Sequence, residues 1–278
     1  MSLFLSIAAL FLLGNQHSEH MHEYVEAARY FYSLPAELPA NTTAPKKQAP
    51  LFYVNIPVEP RFRPNMRIFH TSAPTLTSTG TKLIALTFDD GPSKKETPRL
   101  LDILKTERVK ATFFVLGKNA EAHPEIIKRA FAEGHEIENH SWDHKDLTKL
   151  SQEQLLKEIR QTDEVIERLT KRIPLFLRPP YGTLNKALEQ WSTYDLVLWS
   201  IDTKDWQHHD STYIQEYILK HVKDRDIILL HDIHATSVDT VSTLIPILKE
   251  QGYTFVTVEE LLSEKIESSH KTLVIQHG

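Results

Sequence analysis

The chain has 278 residues, 41% hydrophobic and 25% charged, with a formal net charge of −5 and no cysteine. That length suits one large α/β domain with a smaller appendage, and the acidic balance speaks against a nucleic-acid partner. Without thiols there can be no disulfide and no cysteine nucleophile, and any metal must sit on His and carboxylate ligands.

Leu3 to Leu13 is an almost unbroken apolar run. It is shorter than the about 20 residues of a membrane-spanning helix and has the length of the apolar core of a secretory signal peptide. No Lys or Arg precedes it, and Gly14 is the candidate cleavage position. Residues 1–14 are therefore expected to direct export or act as a short hydrophobic anchor, with a docked N-terminal helix as the alternative. Residues 17–32 read as a short helix whose histidines, His17, His20 and His22, are expected on the surface.

Between Leu34 and Pro74 lie eight of the fifteen prolines. Proline fixes φ and removes a backbone donor, so long helices and central strands are excluded there. The expectation for 15–80 is a short helix followed by a linker or an extended arm. Asn41-Thr42-Thr43 is a glycosylation sequon that matters only in a eukaryotic secretory route.

From Thr81 the pattern alternates. Strands are expected at Lys82–Phe88, Ala111–Leu116, His135–Asn139, Leu175–Leu177, Leu196–Trp199, Ile227–Leu230 and Tyr253–Val256. Helices are expected at Thr97–Glu107, Glu121–Glu133, Gln152–Thr170 with Ser151 as its N-cap, Leu184–Trp191, Thr212–Val222, Val238–Glu250 and Val258–Lys265. Strands alternating with helices imply a parallel sheet with helices outside it. About seven strands suit a deformed, incomplete (β/α) barrel better than an eightfold one. The domain is placed at 81–265, with 266–278 as a tail.

Five polar motifs each follow an expected strand, where α/β barrels keep their chemistry. Asp89 and Asp90 end the first strand. Adjacent strand residues point to opposite faces, so one can bind a metal while the other acts as a base; an Asp-Gly turn is the bland reading. His140 and His144 have a spacing that puts both imidazoles on one side of a helical turn. With Asp90 they make a set of one carboxylate and two imidazoles, which leaves coordination positions open for water and substrate. Arg178-Pro-Pro-Tyr-Gly182 is a stiffened loop, in which Arg178 can keep a carboxylate ionised and the Tyr181 N–H can stabilise an oxyanion. In Asp202-Thr-Lys-Asp205-Trp206, Trp206 offers a sugar ring an apolar face. His231, at the end of Ile227–Leu230, can act as a general acid near neutral pH. Nearby His208, His209 and His234 are given no role.

These five motifs, in this order, resemble the polysaccharide deacetylases of carbohydrate esterase family 4, the NodB-like deacetylases, over about Thr81 to Lys265. The resemblance implies that Asp90, His140 and His144 bind one divalent metal ion, zinc first, with cobalt, manganese or nickel as alternatives. It implies Asp89 as general base paired with Arg178, the Tyr181 amide in the oxyanion hole, and Asp205 orienting His231 as general acid. Leu229 and Trp206 would line the pocket and groove around the acetyl group. The implied substrate is a polysaccharide carrying N-acetylglucosamine-type residues, with peptidoglycan first and chitin-type oligomers or an exopolysaccharide next. The implied partners include no nucleic acid. The N-terminus would place the protein outside the cytoplasm, associated with the membrane or cell wall, and a cytoplasmic location is the alternative. An O-acetyl ester deacetylase of the acetylxylan type and a non-catalytic carbohydrate-binding protein are the competing readings.

Overall fold

The computed structural model describes Ile68–Phe69, residues 82–192 and residues 194–268. The apolar run at Leu3–Leu13, the 17–32 helix with its histidines, the sequon and most of the proline-rich arm lie outside the described residues, as does the tail beyond Ser268. Among the described residues, no helix is long and apolar enough to cross a membrane.

Nine strands are described: β1 Ile68–Phe69, β2 Lys82–Asp89, β3 Thr112–Val115, β4 Glu136–Asn139, β5 Phe176–Leu177, β6 Asp195–Val197, β7 Ile201–Asp202, β8 Asp226–His231 and β9 Tyr253–Phe255. Every pairing between them is parallel. The sheet runs β1-β6-β5-β4-β3-β2-β8-β7, with β9 on β2. β9 pairs with the start of β2 (Lys82–Ile84) and β3 with its end (Thr87–Asp89), while β8 takes Ile84–Asp89 on the other side. β6 bonds β5 and β7 bonds β8, so the ladder breaks at 198–200 and the barrel is incomplete. The strand expected at Leu196–Trp199 is β6, which ends at Val197, and β7 follows it without having been expected. Nor was β1 expected, by which the proline-rich arm adds two residues to the outside of β6.

The helices are α1 Glu96–Glu107, α2 Gly117–Ala122, α3 Pro124–Ala132, α4 Gln152–Thr170, α5 Lys186–Trp191, α6 Asp205–His208, α7 Ser211–His221, α8 Ala235–Glu250 and α9 Val258–Ser268. Two of them correct the expected Glu121–Glu133 helix. Pro124 cannot continue α2, and it occupies the first turn of α3 instead, where its missing N–H costs nothing. Ser151 caps α4 through a reciprocal capping box with Gln154. α9 runs three residues past the expected boundary at 265.

β2 explains why its sequence is apolar at nearly every position. It is central and buried on both faces. Ile84, Leu86 and Phe88 pack under the helices with Leu100, Leu104, Val241 and Leu244. Leu83 and Ala85 face the barrel interior with Phe114, Phe176, Val197 and Ile227. The strand period of two therefore carries Thr87 and Asp89 to the interior as well, at the end where the five motifs converge.

Candidate active site

Strand register sets the first distances. Asp89 lies opposite His231 in the β2–β8 ladder. The Arg178 amide bonds to the Asn139 carbonyl at 3.0 Å, and the His140 amide to that of Val115 at 3.0 Å. The ends of β2, β4, β5 and β8 thus present Asp89, His140, Arg178 and His231 at one mouth of the barrel.

Asp89 and Arg178 form a buried ion pair with Nη1–Oδ1 at 2.7 Å. The same guanidinium donates to Thr87 Oγ1 (2.8 Å) and to the carbonyls of Val197 (3.2 Å) and Leu198 (3.0 Å), and it lies 3.9 Å from the Phe114 ring centroid. Burial pushes the Asp89 carboxyl above its ordinary value, against the pull of the Arg178 charge.

Asp90 departs from the expected alternation. Its φ is 72°, in the left-handed region, and this swings its side chain back to the same site as Asp89. His140 Nε2 is 3.7 Å from Asp89 Oδ2 and 3.5 Å from Asp90 Oδ1. His144 Nε2 is also 3.5 Å from Asp90 Oδ1. The two imidazoles do not meet through a helical turn. Residues 140–145 form an irregular loop, with Ser141 at φ 71° and His144 at φ 64°.

The trio fits a divalent metal ion. One ligand atom from each residue lies within 4.8 Å of the others. Asp90 Oδ1 is buried and accepts no hydrogen bond, which is costly unless a cation takes its place. Metal–ligand bonds of about 2.1 Å at tetrahedral angles put ligand atoms about 3.4 Å apart, close to the 3.5 Å that separates Asp90 Oδ1 from each imidazole Nε2. His140 Nδ1 lies 2.7 Å from the Arg178 carbonyl oxygen. That contact fixes the proton on Nδ1 and leaves the Nε2 lone pair facing Asp90. Burial pushes the His140 ring down to about 3, so it is neutral at neutral pH, as a ligand must be.

On the other side of Asp89, Asp205 opens α6. One of its oxygens meets His231 Nδ1 at 2.7 Å. The other accepts from the His231 amide (2.7 Å) and Ser237 Oγ (2.5 Å). Burial opposes ionisation of Asp205, but these hydrogen bonds hold its carboxyl below the ordinary value. Burial likewise opposes the charge on His231, and the bond to Asp205 outweighs it, raising the ring to about 9. Tyr181 sits at φ 61°, its ring edge-on to His144 with centroids 4.5 Å apart. Tyr181 and Trp206 are exposed, at 66% and 51%, while Leu229 is buried beneath His231 on the same face of β8.

Several supporting residues carried no motif. Asn139 accepts from the Ser141 amide (2.7 Å) and donates to the Ile159 carbonyl (3.0 Å). Glu138 accepts from the amides of Leu175 and Phe176, both at 2.7 Å, and so fixes β5 ahead of Arg178. Glu158 lies buried among Leu155, Ile159 and Thr162 on α4. A glutamate on the apolar stripe of an amphipathic helix was the available signal for it.

The sequence profile of the polysaccharide deacetylase family matches residues 77–195. Peptidoglycan-N-acetylglucosamine deacetylase PgdA of Listeria monocytogenes is 38% identical over 235 residues, covering 84% of this chain and 50% of that one. The chain thus spans about half the length of this curated relative. The structure of peptidoglycan deacetylase PdaC from Bacillus subtilis superposes with a TM-score of 0.66 at 41% identity, covering 68% of this chain and 93% of that one. A family 4 acetyl xylan esterase from Clostridium thermocellum, in complex with a cobalt ion, gives a TM-score of 0.64 at 36% identity, covering 66% and 92%.

The glycine after the paired aspartates yields a stability test. A Cβ at Gly91 would lie 2.3 Å from both carboxylate oxygens of Asp232. Asp232 is fully buried and held by Thr97 Oγ1 at 2.5 Å, so it has no room to swing aside. Gly91→Ala is expected to cost about 1–3 kcal/mol, read as a lower urea midpoint. Adding Asp232→Ala should recover much of that loss. Simple additivity of the two changes would show that they do not compete for the same space.

Proposed function

The chain belongs to the polysaccharide deacetylase family, and from that membership and the geometry of its barrel mouth we propose that it removes N-acetyl groups from N-acetylglucosamine-type residues of peptidoglycan, releasing acetate. The carrying observation is one cluster, in which the Asp90–His140–His144 trio shares the barrel mouth with the Asp89–Arg178 and His231–Asp205 pairs. Asp90, His140 and His144 would hold one divalent ion, zinc first. Such an ion lowers the pKa of water and polarises an acetyl carbonyl.

The protein's own groups supply the remaining chemistry. Asp89, raised by burial and oriented by Arg178, takes the proton of the attacking water. The Tyr181 amide donates to the oxyanion that forms. An amine leaves only once protonated, and His231, kept charged by Asp205, gives that proton to the departing nitrogen. Trp206 and Leu229 bound the groove around the acetyl group. The products are acetate and a free amino sugar. The likeness to an acetyl xylan esterase supports a second reading, in which the same groups release acetate from an O-acetyl ester. A cell-wall substrate agrees with export directed by Leu3–Leu13.

Acetate release measured on peptidoglycan, chitooligosaccharides and acetylxylan separates these readings. We expect release from peptidoglycan, lost with a chelator and restored by Zn²⁺. Full activity without metal, or release from acetylxylan alone, would reject the proposed activity.

Asp89→Asn is expected to keep the metal but lose roughly 10²–10⁴-fold in rate, the usual share of a general base. Loss of bound metal in this variant would show that the two aspartates have been assigned the wrong way round.

Asp205 raises the His231 ring, so the charged acid persists below about 9 and is lost above it. Asp205→Asn removes the carboxylate, and the basic limb of the pH–rate profile should move down with metal content unchanged. His231→Ala should slow amide hydrolysis far more than hydrolysis of an activated acetate ester, whose leaving group needs no proton. Equal losses on both substrates would exclude proton donation by His231.

A further inference from the structure

We propose that Glu158 is a positioning residue that shapes the loop carrying the second imidazole, so that His140 and His144 reach one metal ion together. The inference rests on the metal-site reading above.

His140 still belongs to the sheet, because its amide bonds to the Val115 carbonyl. His144 lies four residues beyond, outside any helix or strand. The amides between them have to find acceptors without a ladder or a helical turn. Asn139 Oδ1 takes the Ser141 amide, and Ser141 Oγ takes that of His144. The two amides in the middle, Trp142 and Asp143, both go to Glu158 Oε2, at 3.1 and 3.3 Å. Glu158 Oε1 then accepts from Lys145 Nζ at 2.8 Å, immediately past His144. One carboxylate therefore grips the loop on both sides of the ligand.

The Ser141 and Trp142 carbonyls accept from the Gly117 and Lys118 amides at the start of α2, and Asn139 Nδ2 donates to the Ile159 carbonyl on α4. Glu158 is the side chain that fixes the two amides next to His144 to a rigid element, since α4 is capped at Ser151 and buries Leu155, Ile159, Val165 and Ile166. The tie is needed because Ser141 and His144 both hold left-handed backbone, a conformation that persists only where the surroundings over-determine it. Without the Glu158 oxygen, two part-buried amides lose their acceptor and the loop can relax toward ordinary φ. His140 would stay in place, fixed by the ladder and by the Arg178 carbonyl. His144 would move off Asp90, and the ion would lose one ligand in three.

The test uses the full chain and Zn²⁺, with affinity measured by competition against a chromophoric chelator and the thermal midpoint of the metal-free protein measured alongside. Glu158→Ala should weaken Zn²⁺ binding by roughly 10- to 100-fold, the usual effect of removing an outer-shell partner. It should also alter the visible absorption of the Co²⁺-loaded protein. Glu158→Gln keeps an oxygen for the two amides and should restore most of the affinity. Lys145→Ala keeps the two amide bonds and removes only the contact past His144, so its loss of Zn²⁺ affinity should be smaller than that of Glu158→Ala. Parent-like affinity in Glu158→Ala overturns the proposal, as does equal weakening in Glu158→Ala and Glu158→Gln. A purely structural role is distinguished by a lowered metal-free midpoint with Zn²⁺ affinity of the folded protein unchanged, which also overturns it. If Glu158→Ala does not fold, Glu158→Asp, too short to reach both amides, should show an intermediate loss, and parent-like affinity there overturns the proposal. His144→Ala serves as the reference. If it leaves Zn²⁺ affinity intact, the metal reading itself fails, independently of any Glu158 variant.

Discussion

A buried guanidinium holds the mouth of this barrel together. Taking Arg178 and Asp89 out of water costs several kcal/mol per ion, and a single ion-pair contact rarely repays it. Here the debt is spread. Arg178 also serves Thr87 and two carbonyls, and its plane lies against Phe114. The two carbonyls belong to Val197 and Leu198, where β6 ends and the ladder breaks before β7. The guanidinium thus donates to oxygens that a neighbouring strand would otherwise have bonded. A lysine could not take its place, because a point charge on a flexible stem lacks the planar fork that reaches three directions at once. The same carboxylate that completes this network is the proposed base, so the barrel's closure and the proposed chemistry share one side chain.

Backbone conformation follows the same economy. Asp90, Ser141, His144 and Tyr181 are non-glycine residues with positive φ, and all four border the site. Such residues are uncommon and persist where side-chain contacts over-determine them. The Asp90 carbonyl accepts from Asn119 Nδ2 at 2.8 Å, and the His144 amide is taken by Ser141 Oγ at 3.1 Å. Thr183 Oγ1 bonds both Asp146 Oδ1 (3.0 Å) and the Pro180 carbonyl (3.2 Å), which links the loop after His144 to the one that carries Tyr181. Each of these turns leans on another, and the left-handed backbone sits where side chains must face inward.

What could be read from the sequence was set by how local each signal is. Strand–helix alternation and the apolar character of β2 gave the incomplete parallel barrel, and Ser151 with Gln154 marked a helix start, because hydrophobic period and capping are short-range. The polar residues brought together at the mouth were recognisable as a set because each follows a strand. Their local geometry was not. Period-two alternation sends Asp89 and Asp90 apart, and a positive φ brings them back. The spacing of His140 and His144 suggested a helical turn, whereas an irregular loop does the work through contacts to α4. β7 has only two residues, and β1 lies in a proline-rich stretch, so neither shows a period. Glu158 is 16 residues from Trp142 along the chain, and only the packed helix reveals what its carboxylate holds.

The deeper constraint is that one strand pair sets two opposite demands. Asp89 and His231 stand opposite each other on β2 and β8. A base needs a pKa raised from the ordinary carboxylate value, and an acid must still hold its proton at the working pH. Asp89 is buried and the His231 side chain largely so, and burial alone would raise the carboxyl and lower the imidazole. For Asp89 that direction suits the proposed task, and Arg178 moderates it while fixing the carboxylate's orientation. For His231 the direction is wrong, and Asp205 reverses it with a hydrogen bond and a full charge. Asp205 can stay ionised in a buried place because Ser237 and the His231 amide also donate to it. The two proposed proton carriers therefore have partners of opposite charge because the same dry environment acts on an acid and a base with opposite sign.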